Sequence, residues 1–83
     1  MSDDQPQAQP ITVTVDARGL ACPLPVLRLR KTLTAQPAGA VVELLATDRA
    51  AARDVPAFCQ SAGHAVLRAD QDKDGLRFVI RRG

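Results

Sequence analysis

Two prolines one residue apart, Pro23 and Pro25, restrict this chain more than any other feature, because a helix tolerates proline only in its first turn. The spacing predicts a helix starting at Pro23, with Cys22 as N-cap and Pro23 as the first helical residue. In that arrangement the backbone N–H groups of Cys22 and Leu24 are free to face an anion at the positive end of the helix dipole. A thiolate is such an anion, and thiols at helix N-termini have pKa values lowered from about 8.5 to roughly 3.5–7.5. Cys22 is thereby a candidate nucleophile. Gly19 lets the chain turn sharply ahead of it, and Leu20 and Ala21 place neither bulk nor charge over the sulfur. The plainer alternative makes Cys22 a small apolar filler under the helix, since free cysteine is often buried.

Hydrophobic periodicity sets out the remaining elements. Residues 1–10 carry Gln, Pro and acid with no large apolar side chain after Met1, the composition of a disordered tail. Residues 11–83 are expected to form one domain. Ile11 to Asp16 alternates apolar and polar, a half-buried strand with Ile11, Val13 and Val15 inward. The first helix is predicted from Pro23 to about Ala35, with Val26, Leu29 and Leu33 facing the sheet and Pro37, Ala38 and Gly39 ending it. Leu24 and Leu27 fall off that stripe, on the side of Arg28 and Lys31. Such a mixed apolar and basic face reads as a docking surface, because complementary charge speeds encounter with an acidic partner.

Val41 to Thr47 is apolar on both faces, as an interior strand is. Asp48 is a candidate N-cap for a second helix, whose Ala51, Val55, Phe58, Cys59 and Ala62 share one face. Pro56 within that pattern predicts a kink or a division of the helix. Cys59 reads as buried, Gly63 as the helix stop, and His64 as a surface residue entering a strand. Ala65 to Asp70 and Leu76 to Arg82 are two further strands joined by a turn over residues 71–75. Leu76, Phe78 and Ile80 point one way and Arg77, Val79 and Arg81 the other, so one sheet face is apolar and the other is largely in water. The order βαβαββ gives a two-layer α/β (α+β) sandwich with both helices on one face of a small sheet.

Composition removes several function classes. An 83-residue chain buries only about three-fifths of its unfolded surface. Two cysteines and one histidine are too few for a disulfide framework or a four-ligand zinc site. No metal or cofactor is expected. The two phenylalanines, with no Trp or Tyr, provide no stacking platform for single-stranded nucleic acid, and a net charge of +2 is small, so no direct nucleic-acid binding is expected. No apolar run reaches the roughly 18–20 residues of a membrane span, and the N-terminus lacks a signal-peptide layout. A cytoplasmic monomer without membrane association is the expectation.

The run from Asp16 to Val26, with Gly19-Leu20-Ala21-Cys22-Pro23-Leu24-Pro25 at its centre, resembles the signature of the TusA-like (SirA-like) sulfur-carrier family, a Cys-Pro-x-Pro motif after a Gly-Leu step. Arg30-Lys31-Thr32, Ala46-Thr47-Asp48, Arg53 to Cys59, Gly63-His64 and Ile80 to Gly83 extend the likeness over nearly all of residues 11–83. Arg49 departs from it, where the family often has proline. The resemblance implies a four-stranded mixed sheet of order 1-2-4-3 with the last strand antiparallel. It also implies a sulfurtransferase-type carrier whose Cys22 holds sulfane sulfur as a persulfide. Gly19, Pro23, Leu24 and Pro25 would then shape the helix mouth, and Leu24, Leu27, Arg28 and Lys31 would meet the partners. The implied donor is a cysteine desulfurase or rhodanese-type protein, and the implied acceptors serve tRNA thiolation, molybdenum cofactor assembly or sulfur oxidation.

Two other readings stand beside this one. A regulatory or RNA-associated module would use the basic helix with Arg77, Arg81 and Arg82, leaving Cys22 incidental. A redox switch would pair Cys22 with Cys59.

Overall fold

The computed structural model describes residues 10–83. The disordered-tail expectation for residues 1–10 therefore lies, Pro10 apart, outside the described residues. In chain order the elements are β1 (Val13–Ala17), α1 (Leu24–Thr34), β2 (Val41–Ala46), α2 (Ala51–Ala62), β3 (Ala65–Asp72) and β4 (Gly75–Arg81). The sheet order is β1-β2-β4-β3, with β1 and β2 parallel and β4 antiparallel to both neighbours. The implied mixed sheet is thus the observed one.

Strand alternation delivers one apolar face. Val15 and Ala17, Val42, Leu44 and Ala46, and Leu76, Phe78 and Ile80 all turn to the side where Leu29 and Leu33 of α1 and Ala51, Val55 and Cys59 of α2 pack. Both helices therefore cover the same face. Ile11, expected inside, is 40% exposed. Val13 already pairs with Val42, close to the start of β2, so Ile11 lies beyond the end of its partner strand.

Helix α1 starts one residue later than the prolines predict: Pro23 is the N-cap and Pro25 the second helical residue. Its buried positions are Pro25, Leu29 and Leu33, so the core stripe passes through Pro25, and Val26 packs at its edge. In α2, Asp48 is displaced from the expected cap. Its main-chain carbonyl accepts the Ala51 N–H and its Oδ1 the Ala50 N–H, closing a separate turn that leads into the helix at Ala51. Helix α2 is uninterrupted through Pro56, which forgoes only the bond its own N–H would make to the Ala52 carbonyl. Phe58 is half-buried and Ala62 exposed, leaving a narrower stripe of Ala51, Val55 and Cys59. Gly63 ends α2 in the left-handed conformation, as expected.

The β3–β4 hairpin is tighter than the sequence implies. Only Lys73 and Asp74 lie between the strands, and Asp72 Oδ1 accepts the N–H groups of Asp74 and Gly75. Gly75 is required there: its φ is +149°, and a Cβ would stand 2.7 Å from the Ala46 carbonyl oxygen.

The open face carries a ladder of charge. Thr14 and Arg77 both donate to Glu43, and Arg68 donates to Asp70, whose Oδ2 lies 3.9 Å from Arg77. Val41 and Val79 are nonetheless buried on this face, which the sequence placed largely in water. In the register they lie beside Arg81, Glu43 and Arg68, residues whose aliphatic stems shield apolar neighbours.

Candidate functional site

The site forms where β1, α1 and the start of α2 meet. After β1 the chain turns at Arg18 and Gly19, with the Leu20 N–H donating to the Ala17 carbonyl and the Gly19 N–H to Thr47 Oγ1. Gly19 has φ +83°, which glycine adopts without strain. Leu20 is half-buried, Ala21 and Cys22 are exposed, and the Cys22–Pro23 peptide is cis. Cys22 is accessible, which overturns the filler reading.

The electrostatics of the thiol run opposite to the expectation. The two N–H groups expected to face the sulfur are both occupied: Cys22 N–H donates to Asp48 Oδ2 at 2.6 Å, and Leu24 N–H to the Ala21 carbonyl at 2.9 Å. The anion held at this helix mouth is the Asp48 carboxylate. The Cys22 thiol instead donates to Asp54 Oδ2 at 3.1 Å, and this bond, with some desolvation and the charges of Asp54 and Asp48, pushes its pKa above the usual thiol value. Arg53 acts the other way, more weakly. Cys22 is thus a protonated, solvent-facing thiol at rest.

Asp54 follows Arg53 in the first turn of α2. Its Oδ1 accepts from Arg53 Nε, and the Cys22 and Arg53 hydrogen bonds together hold its carboxyl below the usual range. Asp48 ties the Cys22 loop to the entrance of α2, bridging the Cys22 and Ala50 N–H groups. Sequence reasoning missed Asp54 as a site residue and took Asp48 only as a cap. The available signal was one acid three residues ahead of α2 and another in its first turn, but no local rule shows which element they face.

The four residues expected to dock a partner share one face. Leu24, Leu27, Arg28 and Lys31 occupy positions i, i+3, i+4 and i+7 of α1, and all are exposed, Leu24 by 46% and Leu27 by 48%. Pro23 is exposed beside them, while Pro25 is buried beneath.

The other candidates separate from Cys22. Cys59 is 1% exposed, and burial pushes its thiol up to about 11, so no accessible second thiol faces Cys22 for a redox pair. His64 lies beyond the end of α2, with about 12 Å of helix between Asp54 and Ala62. Its Nδ1 accepts the Gly83 N–H and its ring lies 5.9 Å from Phe58. It is not a base for Cys22. Of the arginines in the RNA reading, Arg77 is paired with Glu43 on the open face of the sheet, and Arg82 Nε donates to the Leu33 carbonyl near the end of α1. Among the described residues, no group of three or more His, Cys, Asp or Glu is placed to hold a metal, and no helix is long and apolar enough to cross a membrane.

The chain is similar to known proteins. Residues 13–82 match the family model described as Sulfurtransferase TusA. Two candidate sulfur carrier proteins of similar length are 39% identical: YrkI of Bacillus subtilis (strain 168), over 83% of this chain and 92% of its own, and one from Archaeoglobus fulgidus, over 84% and 96%. YrkF of B. subtilis, another candidate sulfur carrier, is 38% identical over 87% of this chain, which spans only 39% of YrkF. The crystal structure of a SirA-like protein from Desulfitobacterium hafniense superposes with a TM-score of 0.69 at 27% identity, covering 83% of this chain and 93% of that one. With motif, sheet order and relatives in agreement, the chain belongs to the TusA, or SirA-like, sulfurtransferase family.

Proposed function

We propose that the protein is a sulfur carrier that takes sulfane sulfur onto Cys22 as a persulfide and passes it to an acceptor protein. The observation that carries this reading is the exposed Cys22 thiol beside the exposed face of Leu24, Leu27, Arg28 and Lys31, in a chain of the TusA family. The donor is a cysteine desulfurase or a rhodanese-type protein, and the acceptor belongs to a relay for tRNA thiolation, molybdenum cofactor assembly or sulfur oxidation. The protein acts as a co-substrate in the reducing cytoplasm, where both thiols stay free. In the loading step Cys22 Sγ bonds to the outer sulfur of the donor's persulfide as the donor's S–S bond breaks. The donor cysteine leaves as a thiol carrying the proton from Cys22.

Incubation with a cysteine desulfurase and free cysteine, followed by intact mass measurement and peptide mapping, tests this directly. The expected product carries one added sulfur atom on Cys22, removable by reductant. Sulfur found on Cys59 instead would overturn the assignment.

The docking face makes a separate prediction. A Leu24→Asp, Leu27→Asp double variant should keep its melting temperature, because exposed substitutions change stability by only about 0.5 kcal/mol. Its loading rate should fall about tenfold, as apolar anchors of an interface are each worth more than about 1 kcal/mol. Arg28→Glu with Lys31→Glu should slow loading chiefly at low salt, where charge steers encounter. Stopped-time loading assays across ionic strength check both.

A further inference from the structure

Asp54, the acid in the first turn of α2, makes the one side-chain hydrogen bond to the Cys22 sulfur among the described residues. Resting on the carrier reading above, we propose that Asp54 gates Cys22, holding its thiol proton in place until a sulfur donor presents a lysine or arginine side chain to the carboxylate.

The geometry carries this in three steps. Cys22 Sγ lies 3.1 Å from Asp54 Oδ2, an acceptor-only carboxylate, so the thiol keeps its proton while the bond stands. The charged groups acting on the sulfur are Asp54 and Asp48, which disfavour the thiolate, and Arg53, which favours it. The other oxygen of Asp54 takes a guanidinium from within the chain: Arg53 Nε donates to Oδ1 at 3.2 Å, with the Arg53 side chain 82% exposed and that of Asp54 26%. Each carboxylate oxygen has two lone pairs, so a cation from a partner can join or displace the exposed Arg53 at Oδ1 while the sulfur occupies Oδ2.

A cation at Asp54 weakens it as an acceptor and offsets the charge that opposes ionisation, so the thiol becomes a nucleophile only in the encounter complex. Cys22 Sγ then bonds to the donor's sulfane sulfur. The Cys22 sulfur is oxidised to the persulfide level, the donor cysteine sulfur is reduced, and the Cys22 proton passes to it. No outside oxidant is consumed. Apart from a donor the neutral thiol is slow toward oxidants and alkylating agents, since the thiolate is the reactive form.

The test compares wild type, Asp54→Asn, Asp54→Ser and Asp54→Glu in two assays. One is iodoacetamide alkylation of Cys22 against pH, followed by peptide mapping. The other is sulfur uptake from glutathione persulfide and from a cysteine-charged desulfurase. In Asp54→Asn and Asp54→Ser the alkylation midpoint should fall by about one pH unit, and near pH 7.5 alkylation and uptake from glutathione persulfide should rise roughly tenfold. Asp54→Glu should keep a raised midpoint. Uptake from the desulfurase should not share the gain. An unchanged midpoint in Asp54→Asn and Asp54→Ser would overturn the gate, and an equal gain with both donors would overturn the cationic trigger. If wild type takes sulfur from neither donor the carrier reading fails, while the alkylation profiles still decide what Asp54 does to the thiol.

Discussion

Cys22→Ser is expected to abolish sulfur uptake completely while leaving the fold unchanged. A serine hydroxyl can still donate to Asp54, and the position is exposed, so the stability change should stay within about 0.5 kcal/mol. What is lost is the only accessible sulfur among the described residues. Cys59→Ser gives the converse result. Cys59 is 1% exposed, and a hydroxyl placed there without a partner costs on the order of 1–3 kcal/mol, yet loading at Cys22 should proceed. Intact mass after incubation with a desulfurase, together with thermal melts of all three proteins, separates the two thiols. Loading of the Cys22→Ser protein would remove the basis of the functional reading.

Phe78→Ala should produce the largest loss of stability of any single substitution. Phe78 is 2% exposed at the middle of β4, paired with Leu44 on one side and Ala69 on the other, in a core that otherwise consists of aliphatic side chains, alanines and Cys59. Truncating a buried phenylalanine costs about 3–5 kcal/mol through lost transfer energy and the cavity left behind. Small domains have only about 5–15 kcal/mol in total, and an 83-residue chain buries only about three-fifths of its unfolded surface. The urea midpoint should fall steeply, with little change in slope. A midpoint within about 1 kcal/mol of wild type would mean that the two-layer packing does not centre on Phe78.

The fold was legible where the signal is periodic. Strict alternation in Val13 to Asp16, the apolar run of β2 and the helical spacing of Leu29 with Leu33 and of Ala51, Val55 and Cys59 all emerge as the inner surfaces they imply. The misplaced features sit at element ends. Pro23 caps α1 instead of opening it, Asp48 closes a turn ahead of α2, and the β3–β4 turn shrinks to two residues. Ends are decided by hydrogen bonds to other parts of the chain, such as the Cys22 N–H to Asp48, which no local pattern contains.

At the site the sequence by itself determined which residue is singular: one cysteine between a glycine turn and two prolines, with an apolar and basic helix face running away from it. It also determined the order of elements, because a period of two or of 3.6 residues can be read without neighbours. Only the tertiary structure decided the state of the sulfur. A helix mouth favours a thiolate through its free N–H groups, but here those groups are spent on Asp48 and a backbone carbonyl, and Asp54, 32 residues further along the chain, faces the thiol instead. Charge acts through space and falls with distance, so the ionisation of Cys22 follows from which carboxylate the packing of α2 brings within 3.1 Å, and not from the residues that flank it in the chain.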